Sequence, residues 1–450
     1  MFSNRSFFRT REHGTKSVNE RHAGILDAAA KGDTAKVLAL VLGAGADPRA
    51  LQAVNNQGCT AVWLAASRGN TETVRALVNE CHADVKTASK DGMTPIHVAA
   101  YNGHTTTVRA LVNECRADVN TAKEDGITPM HCAAYNGHTE TARALVLECG
   151  ANAFTQNNNG GTPVMFAAQN GHTETVRVLV KACGVDASTS DKKGRTLVFM
   201  AAQNGHTQTV WTLVRECCAD AKVVDKDGVS PVWIAAQNGH TETVRALVRE
   251  FGADPKAADK KGATPVWIAA DNGHTETVRA LVREFGANAN AADNDGCTLV
   301  SVAANNGYTD TVRALVLELD ADASTPDKSG ATPLFLAVLF GRTETVRALV
   351  QECGQDVNTT NENGISLLHR AAQGGHTEMV RALVQGGANV TTADYMGRTP
   401  VEYAANNGHT ETVRVMNHLL KRGFRAAEPS SRFHVEFPRR SAEFPRAGPR

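Results

Sequence analysis

Short runs of apolar residues at helical spacing alternate with polar turn residues along most of the chain. Ile96, Ala99 and Ala100 share one side of a helix. Thr94 and Pro95 come just before them, as an N-cap hydroxyl and a residue preset for the first helical position. The pattern therefore predicts a short helix that begins at this Thr-Pro pair.

A second helix is predicted after an Asn-Gly pair that ends the first one. Four apolar residues at i, i+3, i+4 and i+7 lie on one face of this second helix: Val108, Leu111, Val112 and Cys115. Turn-forming Asp, Asn and Gly residues follow before the next Thr-Pro pair. Neither helix reaches the roughly 12–15 residues that an isolated helix needs in water, so neighbouring pairs must cover its apolar face.

The helix pair recurs every 34 residues. Glycines mark the period, and only the last interval is 33: Gly58, Gly92, Gly126, Gly160, Gly194, Gly228, Gly262, Gly296, Gly330, Gly364 and Gly397. A degenerate unit precedes them and brings the total to about 12. We number these repeats 1–12, and within a domain from 21 to 424 they start near 22, 58, 92, 126, 160, 194, 228, 262, 296, 330, 364 and 397. Such units form a one-dimensional stack.

Two segments of the repeat resemble a known family. The sequences TPIHVAA at 94–100 and TPMHCAA at 128–134 resemble the T-P-L-H-x-A-A pattern of ankyrin repeats, as do the Gly-His pairs before the second helix. The resemblance covers about Arg21 to Gly423. It implies an all-α ankyrin-repeat solenoid of about 12 helix-turn-helix units with β-turn or hairpin fingers. Tetratricopeptide repeats share the period but carry a W-x-x-L-G-x-x-Y signature, which this chain lacks.

The repeat departs from this family in its length. Most ankyrin repeats have 33 residues, and the extra residue here lies at the end of helix two, in segments such as L-V-x-E-C-G-A-D. Repeat 11 lacks it, between Leu383 and Asn389. We expect a longer or locally widened second helix in repeats 2–10.

The charge balance argues against binding to nucleic acid. Lys and Arg number 47 and so do Asp and Glu, which gives a formal net charge of +0 at pH 7, whereas nucleic-acid binding needs a basic excess. Glu and Arg at i,i+3 in helix two neutralise each other. No stretch approaches the roughly 20 apolar residues of a membrane helix, so no membrane insertion is expected. We expect a monomer in the cytoplasm or the nucleus whose partners are other proteins.

The two ends differ from the repeats in composition. Residues 1–20 are basic, and whether they are a targeting signal stays open. Residues 425–450 are rich in Pro and Arg, and both ends are predicted to be disordered. The tail contains Glu-Phe-Pro-Arg twice, at 436–439 and 443–446. The doubling is either chance in a biased tail or a linear motif that docks into a partner.

Cysteine and histidine are frequent, but the repeat accounts for most of them. Six cysteines take a position where other repeats have Phe or Leu, which is typical of a buried apolar site: Cys81, Cys115, Cys149, Cys183, Cys217 and Cys353. The resemblance implies that the motif histidines brace turns. The chain has no zinc-ligand spacing, phosphate-binding loop or nucleophile elbow. We therefore expect no metal, no cofactor and no enzymatic activity.

Binding residues are sought where the repeats disagree. The resemblance implies binding through the concave side, and the residue after the Ala-Ala pair varies from repeat to repeat. It supplies six candidate partner-binding residues: Tyr101, Tyr135, Gln169, Gln203, Gln237 and Asp271. The two tyrosines on adjacent repeats would form an aromatic anchor, the residue type enriched at binding hot spots. Simple drift at an exposed position is the alternative.

Three further candidates break the repeat pattern. Leu339 and Phe340 are apolar where neighbouring repeats are polar, which indicates a contact site or packing against a tail. Trp211 takes a position of helix two that usually holds Arg, either as an exposed anchor or lying flat on the next repeat. Trp63, Trp233 and Trp267 replace the motif histidine and are predicted to pack between repeats.

The sequence predicts a protein-interaction scaffold or adaptor that binds partner proteins through the concave face of the stack. The alternative function is a passive structural spacer whose flanking tails carry recognition.

Overall fold

A computed structural model describes residues 20–43 and 50–421. The chain divides into two compact units, one that ends at Leu299 and one that begins at Val300. The division falls within the first helix of repeat 9. The predicted disordered ends, 1–20 and 425–450, lie outside the described residues, except that Glu20 is the first residue of the first described helix.

Repeats 2–12 begin with a short helix of about two turns, whereas the first helix of repeat 1 is longer. Most of these helices start at the predicted Pro, behind a Thr or Ser whose side chain caps them, as Thr264 does by accepting a hydrogen bond from the Trp267 N–H. The first helices span 20–31, Ala61–Ser67, Pro95–Tyr101, Pro129–Tyr135, Pro163–Gln169, Leu197–Gln203, Pro231–Gln237, Pro265–Asp271, Leu299–Asn306, Pro333–Leu339, Leu367–Gln373 and Pro400–Asn406.

The second helix follows after a turn at a glycine. In repeats 1, 3, 4, 5, 8, 11 and 12 it is α-helical, over Thr34–Leu42, Thr105–Asn113, Thr139–Leu147, Thr173–Lys181, Thr275–Arg283, Thr377–Gln385 and Thr410–Lys421. In the other repeats an α-helical half continues into a π-helical half: Thr71–Arg75 and Ala76–Glu80, Thr207–Trp211 and Thr212–Glu216, Thr241–Arg245 and Ala246–Glu250, Thr309–Arg313 and Ala314–Glu318, Thr343–Arg347 and Ala348–Glu352.

The extra residue of the 34-residue repeat widens the end of the second helix. In repeats 2–10 a hydrogen bond that spans six residues closes this end, as from the Ala117 N–H to the Leu111 carbonyl at 2.8 Å. In repeat 11, which lacks the residue, the equivalent bond from Ala388 to Leu383 spans five. The prediction of a locally widened second helix is confirmed, because one more residue is accommodated between the same two hydrogen-bonding groups.

The core of each unit runs between the two layers of helices. The Ala-Ala pairs, such as Ala99 and Ala100, are fully buried, so the first helices of adjacent repeats approach closely. Val108 and Leu111 of the second helix close the core from the other side.

Turns project between the repeats as fingers. In repeat 3 the Ser89 N–H bonds to the Met93 carbonyl, and the Lys90 N–H bonds to Gln57 of the preceding finger. Within the part of the chain that the structure describes there is no strand, and the fingers form at most isolated antiparallel bridges, as between Ser190 and Thr196. The all-α class and the helix-turn-helix units with turn fingers agree with the prediction.

Candidate partner-binding face

Where a repeat has the motif histidine, this side chain connects the first helix to the next finger by a hydrogen bond. The Nε2–H of His97 donates to the Ile127 carbonyl at 3.0 Å, and its Nδ1 accepts from the Thr94 N–H at 3.3 Å and from the Thr94 hydroxyl at 2.8 Å. These bonds fix the neutral tautomer with hydrogen on Nε2. Burial lowers the pKa of His97 to about 4, so the ring stays neutral near pH 7.

Tryptophan performs the same task where it replaces the histidine. The indole N–H of Trp63 donates to the Met93 carbonyl at 2.9 Å, and that of Trp233 donates to Ala263 at 2.8 Å. Trp267 bonds to Cys297 in the same way, at 2.7 Å. The predicted packing of these residues between repeats is confirmed, with a hydrogen bond that sequence reasoning did not foresee.

The Gly-His histidines bind the backbone of the variable position in the preceding repeat. The Nε2–H of His138 donates to the Tyr101 carbonyl at 2.9 Å, and the Asn136 side chain donates to the same oxygen at 3.0 Å. His172 and Asn170 bind the Tyr135 carbonyl in the same way. At Tyr101 and Tyr135, side chains of the next repeat therefore hold the backbone in place.

Tyr101 and Tyr135 line one apolar pocket. Their side chains are 43% and 47% exposed, large values for tyrosine beside a packed core. The pocket has a volume of about 220 Å³ and is lined by Met93, Tyr101, Lys123, Ile127, His131, Cys132, Tyr135 and Phe166. The Phe166 ring lies 6.1 Å from that of Tyr135 and 5.5 Å from that of His131, edge-on in both cases. The two predicted anchors thus belong to a single concave site between first helices and fingers.

A larger groove adjoins this pocket. It has a volume of about 830 Å³ and is lined by residues of repeats 1–3, among them Trp63, Leu64, Ser67, Asp91 and Met93. Tyr101 and Met93 line both depressions, which therefore adjoin each other.

The remaining variable residues continue this line along the first unit. Gln169 is exposed, and Gln203, Gln237 and Asp271 are half-buried. The backbone carbonyls of the three glutamines accept the hydrogen bonds of His206, His240 and His274.

Trp211 is half-buried against the next repeat. Its ring meets that of Phe251 edge-on, with 5.4 Å between centroids, and the Arg215 guanidinium lies 5.3 Å above it. These contacts favour the interpretation that Trp211 packs on the next repeat over the interpretation that it is an exposed anchor.

Comparison with known protein families agrees with the geometry. The family model described as ankyrin repeats, in three copies, matches the chain in overlapping segments: 25–123, 81–157, 103–191, 130–223, 164–259, 198–293, 284–361 and 334–423. This protein belongs to the ankyrin-repeat family. A comparison with curated proteins gives no match.

Ankyrin repeats are generally protein-interaction modules. The ten cysteines are free thiols, and of the six at the shared position Cys81 and Cys115 are buried and the other four half-buried. Burial raises the pKa of each of the six, to about 11 for Cys353, so they stay protonated and unreactive near pH 7. Within residues 20–43 and 50–421, no three His, Cys, Asp or Glu side chains converge as metal ligands.

No helix in the described part of this ankyrin-repeat protein is both long and apolar enough to span a bilayer.

Sequence reasoning missed two ladders of contacts between second helices. Threonine hydroxyls pair across repeats, as Thr71 with Thr107 at 2.7 Å. Arginines reach a glutamate in the next repeat with two parallel hydrogen bonds, as Arg109 to Glu148 at 2.6 and 2.8 Å, in addition to the predicted i,i+3 pairs such as Arg143 with Glu140. The usual spacings, 36 residues for the threonines and 39 for the arginine–glutamate pairs, were visible in the sequence, but only when the repeats are aligned with one another.

Proposed function

We propose that this ankyrin-repeat protein is a scaffold that captures a partner protein in the depression beside Tyr101 and Tyr135. The observation that carries the proposal is two exposed tyrosines on adjacent repeats that line one apolar pocket. Aromatic side chains at the centre of a concave, desolvated site are the residues that carry most binding energy in protein interfaces.

The chemistry of the pocket suggests what the partner presents. Its walls are aromatic and aliphatic, and its lining includes the half-buried cation Lys123, which bonds to Asp125 at 3.2 Å. An apolar side chain in an extended or helical segment of the partner would fill the pocket, with polar neighbours bonding to the turns of the fingers. Gln169, Gln203, Gln237 and Asp271 would extend the contact along the first unit.

The test is affinity capture with the full chain and a Tyr101→Ala, Tyr135→Ala double variant. We expect recovery of the partner to fall at least tenfold, because truncation of a central anchor typically costs more than 1–2 kcal/mol. Thermal unfolding of the variant should be little changed, because both side chains project from a backbone that the histidines hold. Tyr308→Ala, a change at another exposed tyrosine in the second unit, is the matched control.

Two results would count against the proposal. Equal recovery with the double variant and the wild type would exclude the pocket as the site. Loss of the partner on deletion of 425–450, with no effect of the tyrosine changes, would favour the passive spacer whose tails carry recognition.

A further inference from the structure

Repeat 10 carries an exposed apolar patch formed by Leu339 and Phe340. The two side chains are 49% and 51% exposed at the end of the first helix, Pro333–Leu339. Eight other repeats place Asn at the second of these positions, and its side chain can bond to the preceding repeat, as Asn102 does to the Ser67 carbonyl at 3.0 Å. Phe340 can make no such bond, so packing between repeats does not explain its presence.

The framework around the patch is otherwise intact. Arg342 replaces the histidine of the Gly-His pair and still donates from Nε to the Asn305 carbonyl at 2.9 Å. The patch is therefore a local feature on a regular scaffold, and an apolar pair that lies open to water costs free energy unless something covers it.

The segment after the last helix is within reach of this patch. That helix ends at Lys421 in the same unit, two repeats after repeat 10. Phe437, in the first Glu-Phe-Pro-Arg copy, follows Lys421 by 16 residues, and an extended chain of that length spans up to about 55 Å. Adjacent helices pack at about 10 Å, so two repeats are a short distance by comparison.

The charges of the segment and the second unit are complementary. Residues 422–450 contain 7 Arg against 3 Glu, whereas residues 300–421 contain 13 Asp and Glu against 9 Lys and Arg. Two of these acids lie one turn beyond the first helix of their repeats, Asp310 with 86% and Glu344 with 72% of the side chain exposed. Each pairs on one side with the arginine three residues on, at 3.2 and 3.4 Å, and is otherwise open to solvent. The segment also supplies apolar side chains that could cover the patch: Phe424, Phe433, Phe437 and Phe444.

We propose that residues 422–450 bind back onto the Leu339–Phe340 patch of the same chain. A phenylalanine of one Glu-Phe-Pro-Arg copy covers the patch, and the arginines lie beside the acidic side chains at the start of the second helices. The covalent tether favours this occupant over a separate protein, because a short flexible linker gives an effective concentration in the millimolar range. The doubled motif lets either copy occupy the single patch.

The experiment follows trypsin cleavage after Arg439 and Arg440 in the purified full chain, by mass spectrometry. The test variant is Leu339→Gln with Phe340→Asn, which gives repeat 10 the Gln-Asn pair found in repeat 5. We expect cleavage to be at least fivefold faster in this variant, because the segment is released. Tyr101→Ala with Tyr135→Ala, in the first unit, should leave the cleavage rate unchanged.

A second variant keeps the proposal testable if the first folds poorly. Phe437→Ala with Phe444→Ala lies outside the repeats, and we expect it to speed hydrogen exchange at the amides of residues 339–343 severalfold in the full chain. Equal cleavage rates together with equal exchange rates would overturn the proposal. Protection that grows with protein concentration, alongside a dimer mass in light scattering, would show that a second copy is the occupant and would overturn it too.

Discussion

The repeats differ at one backbone position near the end of helix two, where some have glycine and others have a larger residue. The residue just before the N–H that closes the end of helix two has a positive φ in each of repeats 2–11, a conformation that residues other than Gly disfavour. Glycine takes this position in six repeats, whereas the other four have His82, Arg116, Cys218 and Asp320, with φ between 55° and 59°. Those four residues hold backbone strain that a glycine would relieve.

Exchange of Arg116 and Gly150, which share this position in repeats 3 and 4, tests the strain. Arg116→Gly should stabilise the protein by about 0.5–1 kcal/mol, since the left-handed conformation costs an L-residue roughly 1–2 kcal/mol and the flexibility of glycine offsets part of that. Gly150→Arg should destabilise it by a similar amount, because a Cβ there meets no neighbour and only the backbone cost remains. Urea midpoints of the two variants that shift in the same direction would contradict this account.

Among the elements, the second helix joins neighbouring repeats through a ladder of side-chain hydrogen bonds. Its first and third residues are threonines whose hydroxyls pair from one repeat to the next at 2.7–2.9 Å. The third residue is buried in these repeats. In repeat 11 Met379 takes that place, and the Thr343 hydroxyl loses this partner. The ladder thus aligns neighbouring second helices at a fixed offset.

Thr107→Val tests how much one hydrogen bond of the threonine ladder contributes to the stability of the protein. The hydroxyl of Thr107 is buried and bonds to Thr71, so we expect a loss of about 1 kcal/mol in the free energy of unfolding. Thr106→Val is the matched control, because the same change one residue earlier alters an exposed side chain with the same helix propensity. If denaturant titration gives the two variants equal stability, the hydrogen bond between Thr71 and Thr107 does not stabilise the protein.

For the whole molecule, the buried histidines predict a stability that depends on pH. His97, His131 and His369 all bond in the neutral form to a carbonyl of the next repeat, and burial lowers the pKa of each. In the unfolded chain these rings bind protons below about pH 6.5, whereas in the folded chain they stay neutral until the pH falls to their lowered pKa. The stability they contribute is therefore complete above pH 6.5 and is lost as the pH falls.

The urea midpoint should therefore drop between pH 7 and pH 5. His97, whose pKa is about 4, alone accounts for about 2 kcal/mol of this loss at pH 5. Carboxylates do not explain it, because groups such as Asp394 with a lowered pKa begin to lose their contribution only below their ordinary value of 3.8.

His97→Trp is the matched control for this pH dependence. Tryptophan makes the equivalent hydrogen bond in repeats 2, 7 and 8. Trp63 lines a groove with Val98 of the repeat that follows it. In the repeat that follows His97 the same position holds Cys132, which is smaller than Val98 and leaves room for the indole. The variant should keep about 2 kcal/mol more of its stability between pH 7 and pH 5 than the wild type. An unchanged pH dependence would show that His97 does not carry the effect.

The sequence by itself determined the repeat, its helices and their ends. These depend on signals within a few residues, such as the Thr-Pro start and the 3.6-residue apolar spacing, and period and motif together identify the family. The extra residue in helix two was also visible, and with it the widening that repeat 11 lacks.

Only the tertiary structure decided which side chains meet between repeats. The pairing of Arg109 with Glu148, the pocket that Tyr101 shares with Tyr135, and the packing of Trp211 on Phe251 join residues that are 34–40 positions apart in the chain. A local pattern fixes the face on which a residue lies. The distance between two such faces depends on how adjacent repeats stack, and that is set by the sum of many contacts across the interface.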